Sequence, residues 1–145
     1  VNLLSRRSIL AVAAVTDIAL HARPMPVSSK ALSARLALPP RHLEPILQEL
    51  VRQNVLKGLR GPRGGYELAR ERRRISVGDI VRGMSAWHEQ PDAGSVMVDQ
   101  VIEPLIRRSA ATFLAELDAI TVDDLCREAE LNGVAFPQSI HDFTI

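Results

Sequence analysis

The segment Leu59-Arg60-Gly61-Pro62-Arg63-Gly64-Gly65-Tyr66-Glu67-Leu68 constrains this chain more than any other. Two short apolar stretches flank a turn that holds three glycines, one proline and two arginines. Such a turn closes a β-hairpin. Glycine permits positive φ and lets the backbone approach another surface closely. The arginines offer planar donor forks suited to phosphate oxygens or base edges. The expectation is a tightly bent, positively charged hairpin tip, with strands at about 55–60 and 65–69.

The residues before the hairpin read as helices. Residues 5–21 form a first helix, closed by Arg23-Pro24-Met25-Pro26, with Ile9, Val12, Ala13, Ile18 and Ala19 as its apolar spacing. Ser28 or Ser29 caps a short helix from Lys30 to about Leu36. After Leu38-Pro39-Pro40, Leu43, Ile46, Leu47, Leu50 and Val51 recur on one helical face. Arg41, His42, Glu44, Gln48, Glu49 and Arg52 fall on the other. Pro45 predicts either a bend near Arg41 or a late helix start, because it removes a hydrogen bond.

After the hairpin, Ser76 caps a fourth helix with Asp79 as the capping-box acid, and Val77, Ile80, Val81 and Met84 form its buried stripe. Residues 86–100 read as a loop. A long helix from about Pro104 to Ile120 carries Ile106, Ala110, Phe113, Leu117 and Ile120 at 4-3-4-3 spacing. That is a heptad seam, the pattern of a helix that meets a partner helix, here read as a dimer interface; packing within one chain gives the same spacing. Thr121-Val122-Asp123-Asp124 opens a last helix ending near Asn132-Gly133. The division is therefore 1–85 as a DNA-binding unit, 86–100 as a loop, 101–133 as a dimerisation helix and short terminal helix, and 134–145 as a tail.

Composition narrows the class. Hydrophobic residues make up 46% of the chain and aromatics 3%, so the core is aliphatic. No apolar run reaches membrane-spanning length. Arg6-Arg7 before an alanine-rich stretch imitates an export signal, but Asp17 and His21 interrupt it and no A-x-A site follows. One cysteine, Cys126, excludes a disulfide framework within the chain and fits a cytoplasmic location. The net charge of +1 hides a division: residues 1–84 hold 15 basic and 6 acidic side chains, residues 85–145 hold 3 and 11. A basic front suits a polyanion, although charges that merely follow local helix faces give the same count.

Three helices followed by a charged hairpin make a winged helix-turn-helix, in which a helix with an apolar back and a polar front enters the major groove. The fold class is mainly α with a small β-hairpin, plus a long C-terminal dimerisation helix. The residues of this region also resemble a family. His42-Leu43-Glu44-Pro45-Ile46-Leu47-Gln48-Glu49-Leu50, Asn54-Val55-Leu56, the Arg60–Ala69 segment and Ile75-Ser76-Val77-Gly78-Asp79-Ile80-Val81 are similar to the Rrf-two winged-helix regulators. The resemblance covers most of residues 5–132. It implies a homodimer on a pseudo-palindromic operator in double-stranded DNA, probed by Arg41, His42 and Glu44 from the recognition helix and by Arg60 in the minor groove. Gly61, Gly64 and Gly65 shape the wing, and Ser29 and Lys30 join the DNA-facing set. Arg63 stands at a variable wing position, and its phosphate contact rests on charge alone.

Many members of that family hold an iron–sulfur cluster on three cysteines in the loop after the fourth helix. Here that loop has none, and Cys126 lies elsewhere. One thiolate does not make that ligand set, so no cofactor is expected, and the chain is similar to the cluster-free branch. The open signals are a protein partner, a small-molecule effector near Trp87, a metal at His88 and Glu89, or oxidation of Cys126. The histidines are scattered with no nucleophile–base pairing, so no enzyme is expected. The leading function is a sequence-specific transcription regulator, of repressor type. The alternative is a protein-interaction module built on a winged-helix core.

Overall fold

The computed structural model describes residues 3–86 and 94–134. In chain order these form α1 (Arg6–His21), α2 (Ser29–Leu36), α3 (Pro40–Arg52), β1 (Leu56–Leu59), β2 (Gly65–Leu68), α4 (Val77–Ala86), α5 (Glu103–Asp118) and α6 (Val122–Leu131). A 3-10 turn, Arg72–Arg74, leads into α4, and a π-helical turn, Val98–Ile102, leads into α5. The chain is mainly α with one antiparallel hairpin, as its periodicities require. Trp87, His88, Glu89 and the tail beyond Val134 lie outside the described residues.

Local chemistry starts the helices. The Ser5 side chain accepts from Ser8 N–H, and the Ser28 side chain accepts from Ala31 N–H, so Ser28 is the cap and Ser29 the first residue of α2. Ser76 and Asp79 close a reciprocal capping box at α4, and Thr121 and Asp124 close one at α6. The turn between α2 and α3 is fixed by Ser33, whose carbonyl accepts from Leu38 N–H and whose hydroxyl donates to the Leu38 carbonyl.

One aliphatic core joins these elements. Ala11, Ala14, Val15 and Ile18 of α1 meet Leu43, Leu47 and Leu50 of α3 and Ile80 and Met84 of α4, all essentially removed from water. The buried stripe of α1 is therefore Ala11-Ala14-Val15-Ile18. Of the spacing expected from sequence only Ile18 is fully buried, while Ile9 lies at the surface. Small alanines win the core side because α1 packs closely against α4.

Two readings of α3 change. Glu49 is buried and Val51 exposed, the reverse of the sequence expectation. Glu49 accepts from Gln53 at 2.6 Å, and Gln53 also donates to the Gly83 carbonyl at 2.7 Å, so a polar clasp ties α3 to α4. Burial alone raises the Glu49 carboxyl, but hydrogen bonds from Gln53 and Arg52 outweigh it and hold the group below its ordinary value. The helix also does not start late. It runs from Pro40 with Pro45 inside it. The missing Pro45 N–H leaves the Arg41 carbonyl without its helical donor in the exposed first turn.

The expected loop over 86–100 is shorter than its sequence suggests, because helical backbone already begins at Val96. The terminal helix also moves. Val122 and Cys126 of α6 belong to the same core as α1. Two backbone hydrogen bonds, Val77 N–H to the Ile120 carbonyl and Val122 N–H to the Ile75 carbonyl, both at 2.8 Å, stitch the start of α6 beside α4. Residues 122–131 thus pack on α1.

Candidate nucleic-acid interface

The wing is built by close backbone approach. β1 and β2 pair in the register Leu56↔Leu68, Lys57↔Glu67, Gly58↔Tyr66 and Leu59↔Gly65. Lys57 and Glu67 form a cross-strand ion pair at 2.9 Å. Val27, just before α2, adds a third rung: its N–H donates to the Tyr66 carbonyl at 2.9 Å and its carbonyl accepts from Tyr66 N–H at 2.8 Å. That bridge fixes the wing beside the start of α2. A Cβ at Gly65 would collide with the Val27 carbonyl, and one at Gly64 with the Leu59 carbonyl. Gly61 has φ of +108°, a conformation that side-chain-bearing residues avoid. Only glycine fits these positions, for two different reasons.

The helix-turn-helix is oriented by a part-buried ion pair. Asp17 of α1 accepts from Arg35 of α2 at 2.8–3.2 Å through both oxygens. The paired hydrogen bonds hold the Arg35 guanidinium above its ordinary value. α3 then turns its apolar side to α1 and leaves Arg41, His42 and Glu44 exposed. Glu44 lies near the wing: the Tyr66 phenol is raised first by burial and then by the Glu44 charge.

The structure sorts the basic residues by whether they have partners. Arg35, Arg52, Arg72 and Arg82 are bonded to Asp17, Glu49, Asp123 and Asp118. Lys30, Arg41, Arg60 and Arg63 are exposed and make no ion pair or side-chain hydrogen bond among the described residues. Ser29 is half-buried in the first turn of α2, with Lys30 exposed beside it. The expected DNA-facing residues thus sit at three places, the start of α2, the start of α3 and the wing tip. Val27, whose bridge to Tyr66 fixes these places, gave no sequence signal beyond β-forming character.

The seam expected on α5 is only partly covered. Phe113 and Leu117 are half-buried, whereas Ala110, Ile106 and Ile120 are exposed, Ile106 by 62%. The exposed apolar surface continues through Val96, Met97, Val101, Ile102 and Leu105.

No helix among the described residues is long and apolar enough to cross a membrane. Cys126, the only cysteine of the chain, is wholly buried in α6, and burial pushes its thiol up despite nearby Arg72. Among the described residues no three of His, Cys, Asp and Glu gather as a ligand group. An iron–sulfur cluster takes several thiolates, so the residues of this chain do not fit that group.

Comparison with known proteins agrees with this geometry. Residues 4–128 match the Rrf2 family profile, described as an iron-dependent transcriptional regulator. The chain is 32% identical to the HTH-type protein slr0846 of Synechocystis over 130 residues, covering 87% of this chain and 88% of the relative. It is 30% identical to the HTH-type transcriptional regulator IscR of Pectobacterium carotovorum over 133 residues, covering 86% and 79%. Among solved structures, T. potens IscR superposes with a TM-score of 0.73 at 29% identity, covering 98% of this chain and 97% of that one. CymR of B. subtilis has the same fold, with a TM-score of 0.67 at 24% identity over 88% and 98% of the two chains. With the hairpin, the helix-turn-helix and the matched span in agreement, the chain belongs to the Rrf2 family of winged-helix transcription regulators.

Proposed function

We propose that this regulator binds a pseudo-palindromic operator as a homodimer and represses transcription from it, without a cluster held on its own thiolates. The observation that carries the DNA reading is the set of unpartnered cations. Arg41 on α3, Lys30 on α2 and Arg60 and Arg63 on the wing are exposed with no carboxylate partner among the described residues, next to groups fixed by the Val27–Tyr66 bridge. In this reading α3 enters the major groove, where Arg41, His42 and Glu44 meet base edges. Arg60 enters the adjacent minor groove, and Arg63 meets a phosphate. Ser29 and Lys30 contact backbone phosphates at the start of α2.

The apolar surface along Val96–Ile106 supports the dimer reading. Exposed large apolar side chains at Val101, Ile102, Leu105 and Ile106 form a stripe that a second copy of α5 would cover. The single buried Cys126 supports the cluster-free reading, since a lone thiol with a raised pKa is a poor ligand and a poor redox switch. A cytoplasmic location follows from the operator.

The test is binding-site selection with the purified protein, then titration of the selected duplex by fluorescence anisotropy at several salt concentrations. A palindromic consensus and a steep salt dependence are expected. An unstructured consensus, or affinity that does not change with salt, overturns the DNA reading. Sedimentation of Leu105→Asp and Ile106→Asp tests the dimer: a monomer is expected, and an unchanged sedimentation coefficient refutes the α5 interface. Colourless protein with no iron by elemental analysis is the result expected for the third part.

A further inference from the structure

Behind the wing, away from its tip, lies a cleft of about 740 Å³ between the end of α1, the end of β2 and the Arg72–Arg74 turn. Its volume is that of a small-molecule site. Its floor is apolar: Ile18, Leu20, Leu68 and Ala69 line it, and Leu20 and Leu68 are only partly buried against the core. Its rim is cationic, with Arg23, Arg70 and Arg73 among the lining residues. Two carboxylates also line it: Glu67 is bound to Lys57 at 2.9 Å, while Glu71, 4.0 Å from Arg74, is exposed and opposes an anion at its own edge of the cleft.

The rim cations are weakly engaged. Arg23 is exposed and makes no ion pair or side-chain hydrogen bond among the described residues. Arg70 donates only to backbone carbonyls, of Asn54 at 3.2 Å and Arg74 at 3.5 Å. Arg73 lies 3.8 Å from Asp123 and is 79% exposed. An apolar floor under weakly engaged guanidinium groups is complementary to one ligand class. We propose that this cleft binds a small organic anion, its carboxylate on Arg23, Arg70 and Arg73 and its aliphatic body on Leu20, Leu68 and Ala69.

The site differs from the DNA-facing surface. Leu68 pairs with Leu56 at the far end of the hairpin from the Leu59–Gly65 pair, so the cleft stands about 10 Å along the strands from the tip. It is also connected to α6, because Arg72 on its wall binds Asp123 at 2.7 Å. An occupant therefore touches the wing strand, α1 and the clasp to the terminal helix together. The proposal does not depend on DNA binding, since it is read on the protein alone.

The experiment uses the full chain without DNA, with octanoate, octanamide and inorganic phosphate as probes. Amide chemical shifts of ¹⁵N-labelled protein are followed during each titration, with thermal unfolding in parallel. Octanoate is expected to shift amides of residues 18–23 and 67–73 saturably and to raise Tm, while octanamide and phosphate do neither. Arg23→Ala with Arg70→Ala is expected to weaken octanoate binding at least tenfold while the spectrum stays folded. Absent or non-saturable shifts at these residues overturn the proposal. So does equal binding of octanamide or phosphate, or an octanoate response unchanged in the double variant. If the double variant loses operator affinity as strongly as Arg60→Ala with Arg63→Ala, the cleft is a nucleic-acid surface and the proposal fails, whereas the DNA reading stands.

Discussion

The two ends of one hairpin are both rich in arginine, yet they are in different states. At the tip, Arg60 and Arg63 stand exposed without a carboxylate among the described residues. At the base, Arg72 is held by Asp123 at 2.7 Å, and Arg74 lies 4.0 Å from Glu71. Asp123 is 3% exposed and also takes Arg127 at 2.5 Å. The difference teaches that positive charge does not by itself mark a nucleic-acid surface. A guanidinium already paired has less to offer a phosphate, because binding must first break its internal bonds. It also divides the charge asymmetry of the sequence. Part of the acidic back half neutralises the basic front within the molecule, through Asp123 and Asp118, and the tip cations are left over.

The comparison is open to attack by substitution. The largest effect is expected from Leu47→Ala, since Leu47 of α3 is fully buried in the core on which α3 rests. A leucine truncation of this kind costs about 2–5 kcal/mol, so urea unfolding should show a clear loss of stability and operator affinity should fall with it. Retained stability would mean that the core does not hold the interface. Gly65→Ala comes next. The new Cβ meets the Val27 carbonyl, and forcing the backbone apart should cost about 1–3 kcal/mol. Loss of slow exchange at the Val27 and Tyr66 amides would report the broken bridge.

Arg60→Ala with Arg63→Ala should separate tip from base. Stability should stay within about 0.5 kcal/mol, because neither side chain has an internal partner among the described residues. The log–log salt slope of DNA binding should fall by about 0.9 per phosphate contact removed. Arg74→Ala at the base should leave that slope unchanged, and an equal loss at both ends would erase the distinction.

Asp123→Asn should give the smallest effect on DNA binding and a modest fall in Tm. The Arg127 hydrogen bond, followed by the charges of Arg127, Arg72 and Arg73, holds the Asp123 carboxyl below its ordinary value. A carboxyl whose folded pKa is depressed stabilises above its unfolded value of about 3.9 and loses that contribution as pH falls through the folded value. The wild-type Tm should therefore drop below about pH 4 more steeply than that of Asp123→Asn. Parallel acid limbs would show that the clasp contributes nothing.

Much of the fold was legible because its signals are local. The capping boxes at Ser76–Asp79 and Thr121–Asp124 depend on residues three apart, and both form where the sequence places them. The apolar face of α3 was read for Leu43, Ile46, Leu47 and Leu50. It failed at its edges, where Glu49 is buried by the clasp to Gln53 and Gly83 on α4. Periodicity gives the centre of a stripe, while the neighbouring helix decides its width. The stripe of α1 departs from its apolar spacing for a related reason: alanines at Ala11 and Ala14 carry little hydrophobic signal, but their small size allows the close packing that buries them.

By itself the sequence determined the capping boxes that open α4 and α6, where the hairpin turns and which turn positions demand glycine, because capping and steric freedom act over a few residues. Tertiary structure alone decided which arginines remain free. Asp123 meets Arg72 across some fifty residues of chain only because α6 returns to pack on α1. Val27 holds the wing only because the backbone can approach Gly65. Electrostatic partners are chosen by distance in space, and that distance is set by how the apolar faces of α1, α3 and α6 share one core.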